Sequence, residues 1–212
     1  MLLKLITILF FIQLVWTDSS LHHQKGYSKL IDDAYYKDAK SVAELQLKVT
    51  RKLKGEKDSL TLLWMNNLAE SELLLANARE SLQLLEIVGL QSRSRVEESI
   101  LLTAQYIRSL MLKAKVQLAI GQINACRKTL KTAFDCIDKY KISDTKTVGQ
   151  LYFVKAKLAI ELDQSIVAKE ALEKALKIFQ DRKHPLLIAR IQQLMGEQML
   201  QEGNLIQGRE LI

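Results

Sequence analysis

One proline (Pro185), eight glycines, two cysteines and three histidines in 212 residues leave this chain short of the residues on which several protein classes depend. With so few turn formers and no alternating β-branched runs, a sandwich or barrel of many short strands is excluded. The chain is expected to be helical almost throughout. Two cysteines cannot staple a small disulfide scaffold. Cys126 and Cys136 fall on one expected helix, separated by roughly 15 Å of axial rise, whereas a disulfide needs Cα atoms within about 7 Å. Unpaired thiols weigh slightly against an oxidising compartment.

The scarcity of histidine bears on chemistry. His22 and His23 are adjacent, point to different sides of a helix and supply no converging pair of metal ligands. They are expected in an exposed linker, Leu21 to Tyr27, where Gly26 breaks any helix. No GxSxG, phosphate loop or HExxH occurs, and no serine, cysteine or threonine sits in a motif that would supply it with a base and an orienting group. Neither catalysis, nor a metal, nor a cofactor is expected. Helical carboxylate pairs such as Glu97–Glu98 and Glu170–Glu173 read as solvated faces, Glu170 having Lys174 four residues on.

Long apolar runs are also missing, with one short exception. Leu5 to Trp16 is preceded by Lys4 and followed by Thr17, Asp18, Ser19 and Ser20. The run falls short of the roughly 20 residues needed to span a bilayer, and its order is that of a secretory signal peptide. Residues 1–20 are therefore expected to direct export, with a membrane anchor or a buried first helix as alternatives.

What remains is ample for a folded core. Hydrophobic residues make up 48% and charged ones 26%, with a net charge of +7. The excess of lysine and arginine mildly favours acidic partners. It is spread at solvent-facing helical spacing without a recognisable nucleic-acid module, so a nucleic-acid partner is not expected.

The internal order is a repeat. KAKVQLAIGQINACRKTLKTAFDCI, starting at Lys113, recurs 42 residues later as KAKLAIELDQSIVAKEALEKALKIF, starting at Lys155. In each copy a small residue (Ala114, Ala156) sits where two helices would cross. A turn follows seven residues on, and a second helix begins with another small residue (Cys126, Ala168). Leu130 and Ala133 match Leu172 and Ala175. Gly196, Gly203 and Gly208 continue the pattern. A weaker earlier copy is read at Asn66 and Ala78 with Leu82 and Leu85. Such helix pairs cannot bury their apolar faces alone and stack into an α-solenoid. Ahead of them, 28–36 and 39–53 read as a helical hairpin with Asp38 as the second cap.

This spacing resembles the tetratricopeptide repeat, with longer units than are usual in that family. The resemblance implies an all-α fold, an α-α superhelix of antiparallel helix pairs, in which helix A of each pair lines a concave groove for peptides or proteins. Residues 1–20 would be the signal peptide or anchor, 21–57 a linker and hairpin, and 58–212 the repeats. Their units fall near 58–90, 94–140, 144–181 and 185–212, the last cut short. Expected boundaries include Gly89 as a stop, Ser94 with Glu97 as a capping box, Asp144 as a cap, and Pro185 in a first turn.

Carried onto this chain, the family's groove positions are Arg108, Met111, Lys115 and Leu118, then Gln150, Phe153, Lys157 and Ile160, then Arg190, Gln193, Glu197 and Leu200. They imply a groove for an acidic segment, with Phe153 and Met111 as apolar anchors. In the weak copy Asn67 is suitably placed, but Leu63 stands where carboxylate-clamping members have lysine. An export signal leading into degenerate repeats is similar in organisation to the periplasmic input region of bacterial membrane signalling proteins. On that reading the chain continues past Ile212, and membrane attachment would run through the amino terminus or that continuation. A cytoplasmic adaptor, the repeat region of a transcription regulator and a helical-repeat RNA binder are the alternatives.

Overall fold

A computed structural model describes residues 22–142, 146–181, 183–201 and 203. Among these there is no strand. Helix α1 covers 22–32, followed by α2 (Tyr36–Lys54), α3 (Ser59–Leu74), α4 (Ala78–Ser92), a 3-10 turn (Arg93–Arg95), α5 (Ile100–Ala119), α6 (Ile123–Tyr140), α7 (Lys146–Ile160), α8 (Ser165–Asp181) and α9 (Pro185–Gln201). Residues 1–20, Asp144 and Gly208 lie outside the described part.

The turn inside each helix pair uses one geometry. Ala34, Ala76, Gly121 and Asp163 all take a left-handed backbone conformation, with φ of 62°, 63°, 72° and 53°. The next residue reaches back five positions with its N–H: Tyr35 to Leu30, Asn77 to Glu72, Gln122 to Gln117 and Gln164 to Ala159, each at 2.8 Å. This is a Schellman closure, which satisfies carbonyls that the ending helix would otherwise leave open. Gly203, at φ 87°, occupies the same place after α9.

These turns set the repeat register for the whole chain. Seven residues before them stand Tyr27, Ala69, Ala114, Ala156 and Gly196, all buried. Five residues after them stand Ala39, Ser81, Cys126 and Ala168, each 0% exposed. These are the positions at which helices cross closely. The expectation for the second unit is thus corrected: its small pair is Ala69 and Ser81, not Asn66 and Ala78. The hairpin α1–α2 is a unit of the same kind, with Tyr27 in place of a small residue. The Tyr27 hydroxyl donates to the main-chain carbonyl of Asn67 at 2.6 Å, and its ring meets Trp64 edge-on.

Several local boundaries also differ from expectation. Helix α1 runs through Gly26 and α4 through Gly89, because neither position requires a left-handed backbone and neighbouring packing holds both helices. Ser99, not Ser94, caps α5, its hydroxyl accepting from the Leu101 N–H at 3.1 Å. Glu97 instead takes a hydrogen bond from Lys139 at 2.7 Å. Tyr35 precedes α2, and Asp38 lies in its first turn.

Packing follows the solenoid plan. Helices α3, α5 and α7 contact one another in sequence as the A layer, and each B helix packs on the A helices before and after it. Three apolar clusters are joined by shared side chains, Leu84 between the first and second and Tyr152 between the second and third. Gly149 of α7 lies so close to Phe179 of α8 that a Cβ there would stand 2.7 Å from the ring.

Candidate functional site

The A helices leave a groove of about 620 Å³ on their inner side, a size in the usual range for ligand sites. Helix α3 contributes Leu73, α5 Lys115 and Leu118, α7 Gln150, Phe153, Lys157 and Ile160, and α9 Leu187, Arg190 and Leu194. Helical spacing explains the grouping. Residues three and four apart share a face, so each A helix presents a short stripe once its small residue is pressed against the B helix.

The cations of this groove differ in circumstance. Lys157 is exposed, with its ammonium 5.3 Å from the centre of the Phe153 ring. Arg190 is exposed on α9. Lys115 is partly buried, and burial pushes its pKa down to about 8; Glu70 pulls it back, while Lys146, Arg108 and Arg190 push it further down. Beside it, Arg108 donates to Glu70 at 2.8 Å. Burial alone would raise the Glu70 pKa, but the charges of Arg108, Lys115 and Lys146 outweigh it and hold the carboxyl below its ordinary value.

Five of the eight expected binding residues come together here: Lys115, Gln150, Phe153, Lys157 and Arg190. Met111 does not. It is 1% exposed inside the core, because the equivalent face of α5 is pressed against α3, where Asn66 bonds the Gln105 carbonyl at 3.0 Å. It is a packing residue and not an anchor. Arg108 is engaged by Glu70 and stands outside the lining. Gln193 is exposed, bonds Glu197 on its own helix at 2.9 Å and is likewise outside.

The corrected register reveals residues that sequence reasoning missed. The position directly after the small residue reads Glu70, Lys115, Lys157 and Glu197 in the second to fifth units. Glu70 therefore occupies the place given earlier to Asn67, and Asn67 is buried against Gln24 of α1. Lysines are confined to the third and fourth units, and an acid stands in the unit on either side of them. Glu161 and Leu187 also line the groove. Among the described residues no three His, Cys, Asp or Glu side chains gather as metal ligands, and no helix is long and apolar enough to cross a membrane. Burial raises the Cys126 thiol to about 11, which leaves it protonated at neutral pH.

The architecture is that of tetratricopeptide-like helical repeats. BtubC (BKLC) from P. vanneervenii superposes with a TM-score of 0.66 at 12% identity, over 83% of this chain and 70% of that one. Two structures from Podosopora anserina, of nearly identical TPR-like repeats of the kinesin light chain kind, superpose at 0.59 and 0.58. Each is 17% identical over 89% of both chains. No family model matches the sequence, and no curated protein is similar to it. The chain thus has the fold of TPR-like helical repeats.

Proposed function

We propose that the groove between α5, α7 and α9 holds an acidic segment of a partner protein. The observation that carries this reading is the convergence of Lys115, Lys157 and Arg190 around Phe153 and Leu118, against one lining carboxylate, Glu161. A ligand carboxylate would meet the lysines, and an apolar side chain would lie on Phe153, Leu187 and Leu194. At Lys115, the partly buried member, such a contact is stronger than on a flat surface.

The test is a titration with a fluorescein-labelled peptide of glutamates around a central Trp-Leu pair. Replacing Lys157 and Arg190 together by glutamate should weaken it at least tenfold while helical circular dichroism is unchanged. The same number of peptides bound with the same affinity by the doubly substituted and unaltered proteins would exclude the groove.

We further infer that the chain serves as the extracytoplasmic sensory part of a longer signalling protein. Support comes from Lys4, the apolar stretch Leu5 to Trp16 and the polar Thr17 to Ser20. Bound partner would then alter solenoid curvature and bias an output domain. Fusion of residues 1–40 to a reporter active only after export should give active reporter; retention in the cytoplasm would overturn this placement.

A further inference from the structure

Successive B helices make at most marginal contact with one another, which leaves clefts on the outer side of the solenoid. The cleft between α4 and α6 has a volume of about 540 Å³ and includes Lys113 of α5 and Glu86 of α4 in its lining. The next cleft, between α6 and α8, is about 300 Å³ and has Lys155 of α7, the repeat counterpart of Lys113.

These equivalent clefts differ at one decisive position. In the first, the Lys113 ammonium lies 3.6 Å from the Glu86 carboxylate. Glu86 directly follows Leu85, and its counterpart after Leu130 is Lys131. The α6–α8 cleft is thus lined by Arg127, Lys131 and Lys155 with no carboxylate among its walls. Lys155 instead sits 5.6 Å above the Phe134 ring, which packs 5.1 Å from Tyr152.

The Phe134 ring accounts for Lys155, but among the described residues no such contact holds the other two cations of the wall. Arg127 and Lys131, four apart on an exposed helix face, repel by roughly 0.2–0.5 kcal/mol. The rim adds Val167 and its neighbour Ile166, the latter 77% exposed. Charge complementarity and an apolar wall together define what fits. We propose that the α6–α8 cleft is a second docking site, taking an acidic protein segment. Its carboxylates pair with Arg127, Lys131 and Lys155 while an apolar or aromatic side chain covers Phe134 and Val167.

A protein segment suits the cleft better than a polyanion. Asp135 and Asp138 continue the exposed face of α6, and Glu170 and Glu173 are exposed on α8. They would oppose a continuous phosphate backbone but not a short segment. The cleft lies across α7 from the groove and does not depend on it.

The same glutamate and Trp-Leu peptide tests the site in the full chain carrying Lys157→Glu and Arg190→Glu, so that the groove is disabled. This protein should still bind one peptide, and adding Arg127→Glu with Lys131→Glu should weaken that binding at least tenfold. Lys131→Gln, which removes charge without reversing it, should weaken it about threefold. Unchanged affinity on charge reversal, or no peptide bound once the groove is disabled, would overturn the proposal. Tighter binding of a 12-nucleotide single-stranded RNA than of the peptide would overturn the assigned partner. Failure of the groove reading appears separately, as undiminished binding when Lys157→Glu and Arg190→Glu are introduced into the chain that already carries Arg127→Glu and Lys131→Glu.

Discussion

The Ser81 hydroxyl donates a 2.7 Å hydrogen bond to the main-chain carbonyl of Ala69, joining the two close-approach positions of the second repeat across the helix pair. In the third and fourth units the same helix-B position is filled by Cys126 and Ala168, both fully buried. Serine is small enough to take their place, and the carbonyl gives its hydroxyl a partner where water cannot reach.

Ser81→Ala should therefore cost about 1 kcal/mol, the usual net worth of one such bond. Ser81→Leu should cost more, on the order of 1–3 kcal/mol, because it overfills the crossing. Urea denaturation followed by helical signal measures both. If the leucine variant proved as stable as the parent, helix approach at this position would not be limiting.

Gly149 makes another close approach, between α7 and α8. In an open helix, Gly→Ala gains roughly 1 kcal/mol from propensity. Here the new Cβ would stand 2.7 Å from the buried Phe179 ring, so Gly149→Ala should be net destabilising by about 1–2 kcal/mol. Combining it with Phe179→Leu should show favourable coupling in a double-mutant cycle. Simple additivity would show that the ring can move aside without cost.

The repeat was legible from Lys113 to Phe179 because Ala114 and Ala156, like Cys126 and Ala168, preserve both size and polarity. One unit earlier it was misplaced by three residues. Three residues turn a helix through about 300°, so Ala78, Leu82 and Leu85 lie near the face of the true set Ser81, Leu85 and Val88. Apolar periodicity cannot separate the two. The turn at Ala76 uses a left-handed alanine where a glycine would have marked it, and Tyr27 disguises the first unit entirely. That slip of register concealed Glu70. Met111 was misassigned for a different reason, since the close pairing of α3 and α5 cannot be read from either helix alone.

Lys115 should make binding pH-dependent. Its pKa is lowered to about 8, chiefly by burial, so the free groove loses this charge as pH rises through that value. Affinity for the acidic peptide should fall above about pH 8, and a bound carboxylate should cause proton uptake. Stability moves the other way. Between about 8 and the unfolded value of about 10.4, the unfolded chain holds the proton that the folded chain has released, so stability increases with pH. Lys115→Met should flatten that rise, and Lys115→Arg should keep peptide affinity level to pH 10. Calorimetry in two buffers of different ionisation enthalpy detects the proton; no uptake at pH 8.5 would remove Lys115 from the contact.

Glu70 opposes that charge from the neighbouring unit. Its carboxylate takes up Arg108 at 2.8 Å and acts on Lys115 through space, so it subtracts from the potential that draws an acidic ligand. Glu70→Gln keeps the shape and removes the charge. Peptide affinity should increase about two- to fivefold at neutral pH with a steeper salt dependence. Without this attractive neighbour the pKa of Lys115 should fall further, moving the loss of affinity below pH 8. Stability supplies an independent reading. The Glu70 pKa is held below its ordinary value, so its contribution is present above the unfolded pKa of about 4.3 and is lost as pH falls through the folded one. The glutamine variant should lack that part of the acid limb in melting temperature against pH. A fall in peptide affinity instead would mean that Glu70 orients Lys115 and Arg108 for the ligand, and that the acid at this end of the groove completes the site.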